Sequence, residues 1–307
     1  MAQPLLARLR EKQPAARLEA LAAPWVAPVL RCVAEVDEVI EADLRHGALQ
    51  LGARWRIGRA LRSRRYDQAI VLANAWKSAL VPFFADIPIR SGYVGESRFG
   101  LLNLVYRESS RNDTPMALHY ARLSEPPGKE PEQPLPFPRL RTDPQRSLQT
   151  AARFGIAGRY AVLCPGAEYG PAKRWPYFKE LSERISLPVV LLGSPKDHEC
   201  ANSIQGKNLI GQTTLDEAIE LISGAALVVS NDSGLMHVAA AVGAPQVALF
   251  GSSSPERTPP RSPGSRVVWL KVQCSPCFAR ICPLGHFKCM NGISVERVLQ
   301  EIEFLPR

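Results

Sequence analysis

The stretch SNDSGLMHVAAAVGAPQVALFG, residues 230–251, decides how this chain reads. The run ALVVS (226–230) that leads into it is short and apolar, as a buried strand is. Then come four polar or small residues, Asn231-Asp232-Ser233-Gly234. LMHVAAAVG reads as a helix closed by Gly243, and QVALFG as the next strand. Strand, loop, helix and strand in that order build a parallel α/β sheet, and in such sheets ligands bind where a strand gives way to a helix. Two readings of the loop stay open on these residues. Asp232 or Ser233 caps the helix, or the free N–H groups of the first helical turn meet a ligand.

Outward from that stretch the alternation continues. YAVLCPGA (160–167) and LPVVLLGS (187–194) read as strands. PYFKELSERI (176–185) and TLDEAIELISGA (214–225) read as helices, the second opened by a capping box from Thr214 to Glu217. The first half alternates too, with helices expected at 2–12, 25–33, 52–64 and 77–88. Strands are expected within 16–24, 35–43, 66–74 and 89–94. Between the halves, SEPPGKEPEQPLPFPRLRTDPQ is proline-dense and aperiodic, which marks a linker. The chain is therefore read as two α/β domains, 1–148 and 149–307, the first ending in a linker at 124–148. A length of 307 residues suits two cores better than one.

Composition narrows the class. Hydrophobic residues make up 46% and charged residues 22%, as in water-soluble globular proteins. No apolar run approaches a membrane span, and the N-terminal MAQPLLARLREKQPAARLEA has no secretory pattern, so a cytoplasmic location is expected. The net charge of +9 favours an anionic partner. The arginine-rich RWRIGRALRSRRYD (54–67) carries Trp55, Ile57 and Leu61 at helical spacing, so it reads as a solvated helix face. Neither an RNA-binding aromatic motif nor a helix-turn-helix pattern is found, so no nucleic-acid partner is expected.

Two further loops resemble the first in position. CPGAEYGPAKRWP (164–176) follows a strand and holds Lys173 and Arg174, side chains suited to phosphate oxygens. GSPKDHE (193–199) offers Asp197 and Glu199, carboxylates suited to ribose hydroxyls. Asp232 would repel a phosphate but accepts hydrogen bonds from sugar hydroxyls. A nucleotide diphosphate sugar uses both kinds of group.

CPGAEYGPAKRWP together with NDSGLMHVAAAVGAPQVALFGSSSPERTPP (231–260) resembles the ADP-heptose:lipopolysaccharide heptosyltransferases, glycosyltransferase family 9, closest to the heptosyltransferase II branch. HGALQLG (46–52) and NAWKSALVPFFADIPIRSGYVGESRFGLLN (74–103) extend the resemblance over nearly the whole chain. It implies two Rossmann-like domains in a GT-B arrangement, an acceptor-binding N-terminal one and a donor-binding C-terminal one, with the site in the cleft between them. It implies an inverting enzyme that moves heptose from ADP-L-glycero-D-manno-heptose to the acidic, lipid-anchored inner core, in peripheral contact with the inner membrane surface. Carried over by motif, Lys173 holds the donor pyrophosphate with Arg174 beside it. Asp232 binds heptose hydroxyls, and Ser233, Gly234 and Leu235 turn N–H groups to the phosphates. His237 lies near the donor or is a core histidine. Asp197, or alternatively Glu199, holds the ribose. Lys77, Arg90 and Arg98 are the acceptor candidates.

The resemblance also implies a strand and a Gly-Asp loop before the first helix, the Asp being the general base. This sequence starts at Met1, at that helix, so the catalytic residue is unassigned; a misassigned start is the expectation, and a truncated inactive form the alternative. Without that strand a central place in the N-terminal sheet is expected to lack a partner. No Asp-x-Asp pair occurs, and no cofactor is expected. Cys274, Cys277, Cys282 and Cys289, with His286 among them, include the Cys-x2-Cys spacing of zinc sites. Reduced structural thiols are the expectation there, and a structural zinc the alternative. Three other readings stand behind the enzyme: a non-catalytic nucleotide-sugar binder, a transferase for another surface glycan, and a zinc-stabilised nucleic-acid binder. The last leaves the two phosphate-type loops unexplained.

Overall fold

A chain of buried apolar strands alternating with one-faced helices can satisfy both only by laying helices over a parallel sheet. The computed structural model, which describes residues 1–45, 47–107 and 114–306, does this in two compact units. His46, which opens the HGALQLG stretch, lies outside the described residues.

The first unit comprises residues 1–31 and 35–136. In chain order it holds α1 (Gln3–Lys12), β1 (Glu19–Ala22), α2 (Ala27–Arg31), β2 (Glu38–Glu41), α3 (Leu51–Leu61) and β3 (Gln68–Val71). These are followed by α4 (Leu80–Phe84), β4 (Ile89–Tyr93), β5 (Leu104–Tyr106) and α5 (Met116–Ala121). β1 and β2 pair in parallel, and β3, β4 and β5 form a separate parallel sheet in that order. Among the described residues no ladder joins the two sheets. Their starts are cross-linked instead by ion pairs. Arg64, just before β3, reaches Glu19 at 2.6 Å and Glu38 at 2.7 Å, on β1 and β2.

The second unit comprises residues 32–34 and 137–307. Its elements are α6 (Pro144–Arg153), β6 (Ala161–Cys164), α7 (Phe178–Arg184), β7 (Val189–Leu191), β8 (Lys207–Asn208), α8 (Leu215–Ser223) and β9 (Leu227–Asn231). Then come α9 (Gly234–Val242), β10 (Gln246–Phe250), β11 (Ser265–Trp269), α10 (Lys288–Asn291) and α11 (Val295–Glu303). The proline-dense segment expected as linker to 148 gives way earlier, at Pro144. Asp143 caps α6 there by accepting from the Gln145 N–H at 2.9 Å, and proline suits the first helical turn. The capping box at Thr214 is formed in both directions, and Gly243 closes α9 in the left-handed region with φ of 78°.

Six parallel strands run in the order β11-β10-β9-β6-β7-β8. The chain moves outward from β6 through β7 to β8, then returns to the other side of β6 and builds outward again. The direction of winding therefore reverses between β6 and β9. Those two strands are fully buried and pair from Ala161 and Leu227 to Cys164 and Ser230. Loops leaving neighbouring strands at a reversal diverge onto opposite faces and open a crevice at the carboxyl ends. The loops that leave β6 and β9 are 165–175 and 232–233, the two singled out from sequence.

Candidate functional site

Asn231, the last residue of β9, joins those loops. It is wholly buried. Its amide nitrogen donates to the carbonyls of Pro165 at 2.7 Å and Gly166 at 3.3 Å, and its oxygen accepts the Trp175 N–H at 3.1 Å. Both ends of the loop after β6 are thereby fixed to the end of β9. Between those anchors a short 3-10 turn, Pro171–Lys173, aims Lys173 across the crevice. Its ammonium meets Asp232 Oδ2 at 2.5 Å, and Ser253 Oγ donates to the same oxygen at 2.5 Å. Asp232 and Lys173 are respectively 6% and 15% exposed at the side chain, so this is a mostly desolvated pair.

The choice left open by sequence between capping and binding is thereby narrowed. Ser233 occupies the N-cap position of α9, but no side chain caps that helix, and Asp232 faces Lys173. Ser233 Oγ lies 3.2 Å from Ser230 Oγ. The first turn of α9 thus keeps N–H groups without a side-chain acceptor, together with the partial positive charge of its N-terminus. Among the described residues, apart from its chain neighbours and the backbone of its own helix, nothing comes within 4 Å of where a Gly234 Cβ would stand, so that backbone is open to approach. Leu235 is half-buried beside it. His237 follows on the same helix, also half-buried. Burial pushes its imidazole pKa down, to about 4, against the opposing pull of Asp232, so it is neutral near pH 7.

Other candidates fall differently. Asp197 is buried, and its Oδ2 takes the Ser194 N–H at 3.0 Å and the Ser194 hydroxyl at 2.7 Å, an internal cap of the turn Pro195–Ala201. Its Oδ1 is buried too, 3.8 Å from Arg174 Nη2. The carboxylate also occupies the space over Gly166, whose added Cβ would lie 2.1 Å from Asp197 Cγ. Asp197 therefore shapes the loop after β6 from within, while Glu199 is exposed. In the first unit, Arg98 is 1% exposed, and its guanidinium donates to the carbonyls of Ala73 at 2.5 Å and Tyr93. Arg90 donates to Leu101 O at 2.7 Å and Ile87 O at 2.6 Å. Both guanidiniums are engaged by main-chain oxygens, Arg98 buried and Arg90 half-buried. Lys77 is half-buried in the turn after β3.

Three contributors escaped sequence reading. Ser253 shares Asp232 from the loop after β10. Tyr169 carries the Lys173 ammonium 4.8 Å from its ring centroid and Arg280 Cζ at 5.3 Å, so two cations share one ring. Arg280 is tied to the same loop, its carbonyl accepting the Ala172 N–H at 3.1 Å. Only the proximity of Lys173 and Tyr169 in sequence hinted at such a cluster.

Arg280 belongs to the cysteine segment, and that segment packs beneath the site. Cys274, Cys277, Cys282 and Cys289 line one cavity of about 50 Å³, whose walls include Ala172 and Ser252. All four thiols are free, and among the described residues no three metal-binding side chains converge on a point. Main-chain N–H groups, that of Phe287 foremost, pull the Cys282 thiol down, and burial pushes Cys289 up. Burial also pushes Cys164 to about 12. In a timed reaction of the folded protein with an aromatic disulfide reagent, exposed Cys277 and low-lying Cys282 are expected to react first. Cys164 is expected to react only after denaturant is added. Fast labelling of Cys164 in the native state would contradict this order.

The model of glycosyltransferase family 9 (heptosyltransferase) matches residues 54–288. This chain belongs to that family. It is 40% identical to the lipopolysaccharide heptosyltransferase 2 of Escherichia coli K12, over 99% of this chain and 94% of that protein. The structure of E. coli ADP-heptose LPS heptosyltransferase II superposes with a TM-score of 0.87 at 38% identity, over 98% of this chain and 93% of that one. E. coli heptosyltransferase WaaC with ADP-2-deoxy-2-fluoro heptose superposes at 0.68 and 20% identity, over 98% and 94%, which shows a shared fold. Membership makes the chain a glycosyltransferase with the α/β fold of this family. Among the described residues no helix is long and apolar enough to cross a membrane.

Proposed function

We propose that this chain transfers a heptosyl group from ADP-heptose to the inner core of lipopolysaccharide, with inversion at the transferred carbon. The crevice between β6 and β9 supports this most directly, because it sets a lysine ammonium and an uncapped helix N-terminus on either side of one carboxylate. Its relatives supply the donor's identity, since E. coli WaaC is a heptosyltransferase solved with an ADP-heptose analogue, and the 40%-identical relative is a lipopolysaccharide heptosyltransferase.

In this reading the acceptor hydroxyl attacks the anomeric carbon while the bond from that carbon to the diphosphate oxygen breaks. The electron pair leaves on ADP, and the proton of the attacking hydroxyl passes to solvent water. Negative charge builds on the diphosphate, and cations and N–H groups already aimed there lower the barrier without reorganising. Lys173 and the N–H groups of Ser233, Gly234 and Leu235 take that task. Asp232 holds heptose hydroxyls, and donor entry draws Lys173 from the carboxylate toward phosphate. Arg174 lines the loop, Glu199, exposed where Asp197 is buried, takes the ribose role, and neutral His237 accepts a hydrogen bond near the sugar. Arg280, beside Tyr169, adds a second cation at the mouth. Of the acceptor candidates, Lys77 keeps that role, and the protein works at the cytoplasmic face of the inner membrane.

The test is a transfer assay with ADP-heptose and a purified inner core that lacks only the heptose to be added. Mass spectrometry is expected to show a gain of one heptosyl unit with release of ADP. In Asp232→Ala that gain is expected to fall about a hundredfold or more. Donor binding with no transfer would leave a nucleotide-sugar binder in its place.

A further inference from the structure

The arginine-rich stretch around α3 has no part in the donor site. Between Asp43 and Asp67 the sequence has seven arginines and no acidic residue. The structure sorts them. Arg54 is buried and donates to the carbonyls of Leu49 at 2.7 Å and Lys77 at 3.1 Å, and Arg64 is spent on Glu19 and Glu38. Arg56 and Arg59 are exposed, and among the described residues neither has a carboxylate partner.

The helix itself has two faces. Gly58 lies against α4, where an added Cβ would be 2.5 Å from Phe84 Cβ and 2.8 Å from Val81 O. That contact and Arg54 fix the inner face. The outer face then presents Leu51, Trp55 and Arg59 at successive turns, with Arg56 alongside. Leu51 is 50% and Trp55 51% exposed, and Arg59 Cζ lies 5.9 Å from the Trp55 ring centroid. Leu49, just before the helix, is 41% exposed.

We propose that the outer face of α3 is a docking surface for an anionic lipid bilayer. Charge complementarity carries the choice. Unpaired arginines meet anionic headgroups, and a tryptophan and leucines at the same level have their preferred place at the boundary between headgroups and acyl chains. Duplex nucleic acid would use the arginines but leave Leu51 and Leu49 in water. The lipid-anchored acceptor, which rests on the proposed function, gives such a surface its use.

The test is co-sedimentation with vesicles of phosphatidylethanolamine and phosphatidylglycerol, and with vesicles of phosphatidylcholine alone. The unaltered protein is expected to pellet with the first and not with the second, and added salt is expected to weaken it. Arg56→Gln/Arg59→Gln is expected to bind about twenty-five-fold less tightly, at roughly fivefold per charge. Leu51→Ser/Trp55→Ser is expected to lose a similar factor while the charge stays. Titration with ADP checks folding and the donor site separately, since neither variant touches that site. Vesicle binding unchanged in both variants, no binding by the unaltered protein, or displacement from vesicles by duplex DNA at equal charge would each overturn the proposal. Absent ADP binding with intact vesicle binding would instead overturn the donor-site reading alone.

Discussion

Lys173→Ala is expected to weaken ADP binding about tenfold to a hundredfold and to slow transfer by a further factor of about a hundred. The two parts have different origins. In the ground state the ammonium is one of several groups on the diphosphate, and it must first leave Asp232, 2.5 Å away. In the transition state the charge on the leaving diphosphate has grown, and mobile water dipoles must reorganise to stabilise it where a cation already in place need not. The substitution has a second consequence, because it leaves the Asp232 carboxylate, 6% exposed, with Ser253 as its remaining donor. Stranding one partner of a buried pair costs about 3–5 kcal/mol at the upper end. The thermal midpoint must therefore be followed alongside kcat and KM. Lys173→Arg separates the effects: it keeps the charge but not the compact ammonium geometry, so most of the stability should return and only part of the rate. A Lys173→Ala protein that is folded and binds ADP as tightly as the parent would remove Lys173 from the donor site.

Much of this arrangement could be read from residue order, because its causes are local. Thr214 and Glu217 announce their helix by spacing, and Gly243 ends one by the φ that only glycine takes freely. The loops at 165–175 and 232–233 stood out because polar residues interrupted buried runs. What could not be read depends on residues far apart in the chain. Arg98 looked like a surface cation since nothing nearby showed that Ala73 and Tyr93 would turn carbonyls toward it. Asp197 looked free for a ribose because its cap, Ser194, is a common loop residue and its packing on Gly166 is a contact between two strands' loops. The short exposed β8 lacks the apolar run that betrays a buried strand. Periodicity finds faces and local caps. It does not find the partner that decides whether a polar side chain is committed inside the protein or available to a ligand.

Asn231 is the sharpest instance, and its replacement is expected to have the largest effect on stability. Asn231→Ala removes three hydrogen bonds at a fully buried position and strands the Trp175 N–H and the carbonyls of Pro165 and Gly166. Each buried group left without a partner costs about 1–3 kcal/mol, so a total of about 3–5 kcal/mol is expected, allowing for partial relaxation. Asn231→Asp is the more telling change. It keeps the shape and the acceptor for Trp175, but sets a carboxylate oxygen where the amide nitrogen donated to two carbonyls. Acceptor then faces acceptor, and a buried negative charge gains no compensating cation. Despite being isosteric, the aspartate is therefore expected to be at least as destabilising as the alanine in urea unfolding at neutral pH. It should recover partly as pH falls and the carboxyl becomes protonated and able to donate. ADP affinity should fall in both proteins at temperatures where they remain folded. Asn231 touches no ligand in this reading, but it fixes both ends of the loop that carries Lys173, so loosening it adds an ordering cost to binding. An Asn231→Asp protein as stable as the parent would mean that the two loops are held together by other contacts, and that the crevice does not depend on this one amide.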